Sequence, residues 1–397
     1  MLEAFFWVLA FVLSALTLPG TFYLLGLTLA GARTAQPLQT TVAQNQPARL
    51  AMIVPAHNEV GGIGQTLANL TAVAASDPAT EIVVIADNCS DATAQVAAEF
   101  GVTVLERHDT TRRGKGFALD HAFSQLGSDY SAFIIVDADS RIAPDFLQVV
   151  RAALATGADA LQVQYRVLNS DDTVGTRLAD LALMAFNRLR PRGRDALGLS
   201  CGIFGNGFVL TRKTLQRVPY TAGSVVEDLE YHVLLVEAGL RVRFIDQTAV
   251  YGEMPTSAQG GRQQRARWEG GRVRVLLDEG GALFKGVLAG RVRLLDPLLD
   301  LLLLPLGYHV TLLLLALLVP LGWCRDLSLF GLAVVALHVV VAARISGMPL
   351  RDLLSLLLSV PRYIVWKLGM LVDIAGASRR NASWVRTQRN HSESEGN

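Results

Sequence analysis

The sequence predicts an α/β domain built on a mostly parallel sheet, with transmembrane helices before and after it. From Leu50 onward, short β-branched runs alternate with helical stretches, the pattern of a parallel sheet covered by helices on both faces. A polar cluster follows each run, at the strand ends where open α/β sheets bind their ligands. The membrane part rests on long uncharged stretches and on a composition that is 51% hydrophobic and 18% charged, too apolar for a wholly soluble chain.

Residues 5–32 carry no charge and are long enough to span a bilayer, with a kink expected at Pro19-Gly20. Ala30-Gly31-Ala32 has the look of a cleavage site. However, Glu3 stands where a signal peptide carries Lys or Arg, and the apolar run is too long, so residues 1–33 read as a retained anchor. Arg33 and the basic residues beyond it place the next domain in the cytosol. Residues 34–49, rich in Gln, Thr and Pro, read as a linker.

A cytosolic domain follows over residues 50–280. Leu50–Val54 is a first strand, closed by Pro55-Ala56-His57-Asn58-Glu59 and a helix from Gly62. Glu81–Ala86 is a second, ending in Asp87-Asn88-Cys89-Ser90-Asp91 with a helix capped by Ser90 or Asp91. Val102–Arg107 leads to Arg112-Arg113-Gly114-Lys115-Gly116 and a helix to Leu126. Ala132–Val136 runs into Asp137-Ala138-Asp139, with a helix opening at Pro144. Asp159–Val167 reads as a strand and Val174–Arg190 as a helix. Gly202–Leu210 is a Gly-rich strand or turn, where backbone can approach a ligand. Val225-Val226-Glu227-Asp228 opens a helix reaching Ala238, Arg241–Ile245 is a strand, and Gln263–Trp268 lies on a basic helix.

The chemistry concentrates after these strands. Asp137 and Asp139, one residue apart just past a buried strand, can share a divalent cation that also holds a diphosphate, as Mg²⁺ prefers. Asp228 and His232, four apart, share one helix face. Plainer readings stand beside these: Asp91 as a cap, Glu227 as a carboxylate favouring a helix N-terminus, and His57 and His232 as structural or acceptor-side groups. Arg262, Arg265, Arg272 and Arg274 are expected to face lipid headgroups or solvent, and Cys201 to fill an apolar gap. The three cysteines form neither a zinc spacing nor a disulfide framework, which suits a reducing compartment. A net charge of +1 gives no electrostatic case for nucleic acid.

Taken in order, Pro55–Glu59, Asp87 to Asp91, Arg113–Gly116, Asp137-Ala138-Asp139, Glu227-Asp228 and Gln264-x-x-Arg267-Trp268 resemble the motifs of the membrane-bound family-2 glycosyltransferases, relatives of cellulose, chitin and hyaluronan synthases. The resemblance covers about Leu50 to Arg274. It implies a GT-A fold that takes a sugar from a nucleotide-sugar, with UDP the expected carrier, and inverts the anomeric carbon. It implies Asp87 on the base, Lys115 near the nucleotide, Asp137 on the nucleoside and Asp139 on a Mg²⁺ or Mn²⁺ at the diphosphate. Asp228 would be the catalytic base, with Arg267 on the diphosphate and Trp268 and Gln264 on the acceptor side. Elementary chemistry asks for the same parts: positive charge for the leaving diphosphate, a carboxylate to accept the hydroxyl proton, the planar fork of Arg for phosphate oxygens, and an indole face for a sugar.

Beyond the domain, Leu301–Cys324 is expected to span, Arg325-Asp326 to turn, and Leu327–Ala343 to span again, giving two transmembrane helices over residues 281–343. Arg344, Arg351, Arg362, Lys367, Arg379 and Arg380 then belong on the cytosolic side. Residues 344–380 read as one amphipathic interfacial helix bent at Pro361, and residues 381–397 as a polar tail. Three spans in the cell membrane are fewer than a polymer channel needs. The expected reaction is therefore transfer of one or a few sugars to a lipid-linked or saccharide acceptor at the cytosolic face, in envelope glycolipid or exopolysaccharide synthesis. A processive synthase working with export or polymerisation subunits is the alternative. A catalytically silent nucleotide-binding membrane protein is disfavoured by Asp139, Asp228 and Trp268, and a sugar nucleotidyltransferase by the lack of a Gly-rich phosphate loop after the first strand.

Overall fold

The computed structural model describes residues 1–33, 48–221, 223–224 and 226–379. The linker over 34–47, Val225, Arg380 and the tail over 381–397 lie outside them. The described chain forms two compact units, residues 48–183 with 200–261, and residues 1–33 with 184–199 and 262–379.

The first unit is an α/β domain on one eight-stranded sheet of order β3-β2-β1-β4-β7-β6-β8-β5. Its strands are β1 (Leu50–Ala56), β2 (Thr80–Asp87), β3 (Thr103–Arg107), β4 (Ala132–Ile135), β5 (Ser140–Ile142), β6 (Ala160–Val167), β7 (Phe208–Thr211) and β8 (Val242–Gly252). β1 pairs in parallel with β2 and β4, β2 with β3, and β6 with β8, while β7 and β5 run against their neighbours. Alternate residues of β1 serve opposite faces. Met52 and Val54 pack with Ile63, Leu67 and Leu70 of the Ile63–Ala74 helix. Ala51 and Ile53 pack with Leu119 and Ala122 of the Lys115–Gln125 helix and with Tyr231 and Leu235 of the Glu227–Glu237 helix. Burial on both faces is why the strands read as short apolar runs.

Two elements that begin in this unit differ from the sequence reading. β8 runs to Gly252, well past the expected end at Ile245, because Asp246-Gln247-Thr248 are a bulge rather than a turn. The register with β6 jumps there from Val163↔Ile245 to Gln164↔Ala249. The helix expected over Val174–Arg190 is α-helical only to Leu183, then a π-helix over Met184–Leu189, then α-helical again over Arg190–Ala196.

In the second unit, Leu2–Gly31 and Gly322–Ser346 are each long and apolar enough to cross a membrane. The span expected over Leu301–Cys324 is interrupted. Val292–Leu302 and Leu306–Leu317 meet at 78°, with Pro305 as the N-cap of the second piece, since the residue before a proline avoids helical backbone. The turn expected at Arg325-Asp326 also falls earlier, at Pro320. Both charged residues lie inside the Gly322–Ser346 helix, and Arg325 Nε donates to the Val319 carbonyl at 3.1 Å. In place of one helix expected over residues 344–380, the described residues after Ser346 hold three short helices: Leu350–Leu357, Val360–Leu368 and Leu371–Ala377. Pro361 starts a fresh first turn.

Side chains tie the spans together. Thr21 Oγ1 bonds His309 Nε2 at 3.1 Å, and Thr28 Oγ1 bonds His338 Nδ1 at 2.7 Å. A Cβ at Gly31 or Gly193 would strike the backbone of Leu189 or Leu27, so the two helices meet backbone to backbone. The Ala258–Leu288 helix continues past residue 280. Within this unit it meets the C-terminal helices: a Cβ at Gly270 would lie 2.6 Å from Ala377 Cβ, Arg262 Nε pairs with Asp373 Oδ2 at 2.5 Å, and Lys367 pairs with Glu269. Arg274 pairs with Asp278. Arg272, expected to face headgroups or solvent, is instead turned inward onto Asp300 at 3.4 Å, its side chain 13% exposed.

Candidate active site

The ends of β2 and β3 build the first part. Register sets Asp87 opposite Arg107, and Arg107 Nη1 donates to Asp87 Oδ1 at 2.6 Å with both side chains buried. Arg107 Nη2 also donates to the Arg112 carbonyl at 2.7 Å, drawing the Arg112–Gly116 loop toward the pair. Asn88 Nδ2 shares Asp87 Oδ1 at 3.0 Å, so both bonds fall on one carboxylate oxygen. Asn58 and Asn88, after β1 and β2, are left-handed with φ of 54° and 51°, a conformation asparagine tolerates. Asn58 Oδ1 accepts from Ser90 N–H at 2.8 Å and Asn88 Oδ1 from Asp109 N–H at 2.9 Å. His57 Nδ1 lies 2.7 Å from the Asp87 carbonyl. Cys89 Sγ accepts from Asn58 N–H at 3.5 Å. Asp91 Oδ1 accepts from Thr93 N–H at 3.0 Å, but the N-cap of the Thr93–Glu99 helix is Ala92, so Asp91 supports the first turn from one residue outside the cap.

The second part forms after β4. Lys115, first residue of its helix, donates through Nζ to Asp137 Oδ1 and to the Gly205 carbonyl. Asp137 N–H donates to Asn206 Oδ1 at 3.1 Å, and Asn206 Nδ2 donates to Ser140 Oγ at 2.8 Å. Ser140 Oγ in turn donates to Asp139 Oδ1 at 3.3 Å. Gln162 clamps the same loop: Nε2 donates to the Asn206 carbonyl at 2.8 Å, and Oε1 accepts from Phe204 N–H at 2.9 Å. Asn206 and Gln162 are fully buried, so these amides fix the loop against the carboxylates.

Asp228 arrives from the Glu227–Glu237 helix. Its Oδ1 accepts from Leu229 N–H at 2.8 Å. A methyl built on Gly205 would sit 3.2 Å from Asp228 Oδ2 and 3.9 Å from Lys115 Nζ, and Gly205 holds φ of +78°. Only glycine suits both constraints. Burial raises the Asp228 carboxyl above its ordinary range, against the lowering pull of a backbone hydrogen bond and Lys115. Burial, then the Asp228 charge, push Glu227 up to about 8, although it stands in the first turn of its helix. Burial lowers Lys115, but Asp137, Glu227 and Asp228 together outweigh it and hold the ammonium above its usual value. His232, one turn on, is buried with Nε2 2.9 Å from Ser200 Oγ.

Lys115, Asp137 and Asp228 thus converge on Gly205, with Asp139 joined through Ser140 and Asn206. Gln264, Arg267 and Trp268 lie in the other compact unit, on the Ala258–Leu288 helix. There Trp268 is exposed, while Gln264 and Arg267 are partly buried. Among the described residues, no three His, Cys, Asp or Glu side chains cluster as a metal cage. Two hard carboxylates still fit a divalent cation that completes its shell with phosphate oxygens and water. Sequence reasoning missed Arg107, Gln162 and Asn206. The register partner of Asp87 marks the first, and the glycines around Asn206 were the available signal for the last.

A family model described as "Glycosyltransferase like family 2" matches residues 47–271, and the chain belongs to that family: it is a family-2 glycosyltransferase. It is 25% identical over 248 residues to the probable glycosyltransferase YdaM of Bacillus subtilis, covering 60% of this chain and 58% of that protein. It is 28% identical over 235 residues to the beta-monoglucosyldiacylglycerol synthase of Trichormus variabilis, covering 57% of this chain and 50% of that one. The chain therefore spans about half the length of the curated relatives it matches. Its fold is similar to that of a mannosyltransferase, PcManGT from Pyrobaculum calidifontis, solved with GDP-Man and Mn²⁺, at a TM-score of 0.54 and 17% identity over 95% of this chain and 99% of that one.

Proposed function

We propose that this enzyme is an inverting, metal-dependent hexosyltransferase that moves a sugar from a nucleotide-sugar to a lipid-linked or saccharide acceptor at the cytosolic membrane face. The observation that carries the reading is the convergence of Asp137, Lys115 and Asp228 on Gly205, which sets a carboxylate suited to a diphosphate-bound cation beside a separate, raised-pKa carboxylate. Asp87, with both bonds on Oδ1, leaves Oδ2 to accept from a nucleobase N–H. Asp139, with Asp137 beside it, would hold a divalent cation, which when bound would supply positive charge to the diphosphate oxygens. Asp228 accepts the proton of the acceptor hydroxyl as its oxygen bonds the anomeric carbon, and the bond from that carbon to the diphosphate breaks with its electron pair on the leaving oxygen. Gln264, Arg267 and Trp268 are assigned to the diphosphate and acceptor on motif position. They also support the narrower placement among cellulose- and chitin-synthase-like members, and with it the processive alternative with partner subunits.

The name of the Trichormus, Nostoc and Synechocystis relatives, beta-monoglucosyldiacylglycerol synthase, favours a lipid acceptor and single transfer. Contacts within the second unit support a three-span topology. Arg262–Asp373, Glu269–Lys367 and the Gly270–Ala377 approach favour residues 262–270 and 367–377 on one side of the bilayer, which calls for an even number of crossings between them. Gly322–Ser346 and the bent pair over 292–317 are the candidates for those two crossings, and Leu2–Gly31 for a third. The Arg and Lys bias favours the cytosol for the catalytic side.

The test is purified protein in nanodiscs with a panel of UDP- and GDP-sugars and a lipid extract, read by mass spectrometry. One glycolipid, heavier by a hexose and formed only with divalent cation, is the expected product. Long polysaccharide from the same reaction would favour the processive alternative, and absence of transfer from every donor would overturn the reading.

A further inference from the structure

The membrane-associated unit holds a buried charge cluster of its own. Arg190 and Arg194 of the Arg190–Ala196 helix pair with Asp300, and Arg272 Nη1 reaches Asp300 Oδ2 at 3.4 Å. Arg194 Nε lies 3.4 Å from Asp296 Oδ1, whose other partner is Tyr23 Oη at 2.7 Å. Arg190, Arg194, Asp296 and Asp300 are each less than a tenth exposed. Three guanidinium groups face two carboxylates, one positive charge in excess.

The hydrogen bonding is incomplete in the same sense. Arg190 Nε and Arg272 Nη2 are buried N–H groups with no acceptor, and Asp296 Oδ2 also lacks a partner. The two orphaned donors belong to arginines that share one ring: Phe186 lies 4.4 Å from the Arg190 guanidinium carbon and 5.6 Å from that of Arg272. That ring is 38% exposed, so the cluster reaches toward the surface beside it. Buried unpaired donors are rare and point to an ion or water that completes them, and an uncompensated buried charge is costly. Phe186 sits on the π-helical turn, a form common at functional sites. Tyr23 places the cluster about two turns inside the end of the Leu2–Gly31 helix, near headgroup depth.

We infer that Arg190 and Arg272 bind one phosphate-class anion beside Phe186, offering it the two N–H groups that the protein leaves unpaired. Guanidinium is the side chain best matched to phosphate oxygens. The anion comes either from the headgroup of a phospholipid or from free phosphate.

The test is thermal unfolding of the full chain in detergent, titrated with phosphatidylglycerol, with phosphate-free monoolein, or with inorganic phosphate against chloride at matched ionic strength. A saturable rise in unfolding temperature is expected from phosphatidylglycerol, or from inorganic phosphate if the source is soluble. Arg272→Gln should weaken the apparent affinity by about tenfold, the effect of one charge-assisted hydrogen bond, whereas Arg274→Gln should not. Asp296→Asn removes a nearby negative charge and should tighten the apparent affinity several-fold, an outcome that a purely structural ion cluster does not give. No saturable shift from either phosphate source would overturn the inference, as would a shift that survives Arg272→Gln. If Arg272→Gln does not fold, an unchanged or weaker affinity in Asp296→Asn overturns it instead.

Discussion

Arg107 donates to Asp87 at 2.6 Å from the register position directly opposite it on the neighbouring strand. The carboxylate assigned to the nucleobase is therefore held by a buried cation from β3, and its orientation depends on that partner. Arg107→Met should leave Asp87 buried and unpaired, at a cost of ~3–5 kcal/mol. The expected outcome is a lower unfolding temperature together with weaker nucleotide binding by calorimetry. Arg107→Lys should recover charge but not the second contact to Arg112, restoring stability only in part.

Asp228→Asn keeps the shape of the side chain and removes the proton acceptor. The transfer rate at saturating donor and acceptor should fall on the order of 10²–10⁴-fold, while the donor dissociation constant stays nearly constant. Because burial raises this carboxyl, the base is available only as pH climbs past the ordinary carboxylate range. The acid limb of the wild-type rate profile should lie above that range. A limb at the pKa of a free aspartate would contradict the assignment.

Glu227 gives a separate signature, read in stability. Its carboxyl, pushed up to about 8 by burial and the Asp228 charge, holds a proton in the folded state over a range where the unfolded chain has released it. That contribution is fully present below the ordinary glutamate pKa and is lost as pH rises through about 8. Glu227→Gln cannot ionise, so its stability should decline less than that of the wild type between those limits. Denaturant midpoints measured across the interval decide the matter.

The metal assignment is tested on binding rather than turnover. Asp139→Asn should weaken nucleoside-diphosphate affinity in Mg²⁺ or Mn²⁺ to the level that the wild type shows in excess chelator, and chelator should then have no further effect. Equal affinity of variant and wild type in metal would place the cation elsewhere.

The parts of the site carried by neighbouring positions in sequence were legible in advance. Asp87 and the Asp137–Asp139 pair each follow a buried apolar run, and two-sided burial makes such runs stand out; Lys115 was marked by the Arg113–Gly116 motif, since the β3 strand before it is mostly half-buried or exposed. What escaped depends on pairing across distance. Arg107 matters because β3 lies in register with β2, and Asn206 because a loop from between β6 and β7 folds back onto Asp137. Arg272 was misread for the same reason, since its buried partner, Asp300, sits on a separate helix. The expected turn at Arg325-Asp326 failed on a local competition. Charge suggested the break, but proline decided it, and Arg325 reaches back to the Val319 carbonyl.

Of the three cysteines in the chain, Cys201 and Cys324 are buried, and Cys89 alone is partly open to solvent. It lies in the loop after β2, between Asn58 and the Ala56 carbonyl, next to the carboxylate assigned to the base. The native protein thus carries its own attachment point for a thiol-reactive fluorophore beside the carboxylate proposed to bind the base, with no competing thiol to engineer away. Burial raises this thiol, so the coupling would be slow at neutral pH and faster in alkali. Once coupled, the dye would report donor arrival optically, in real time and without a radioactive sugar.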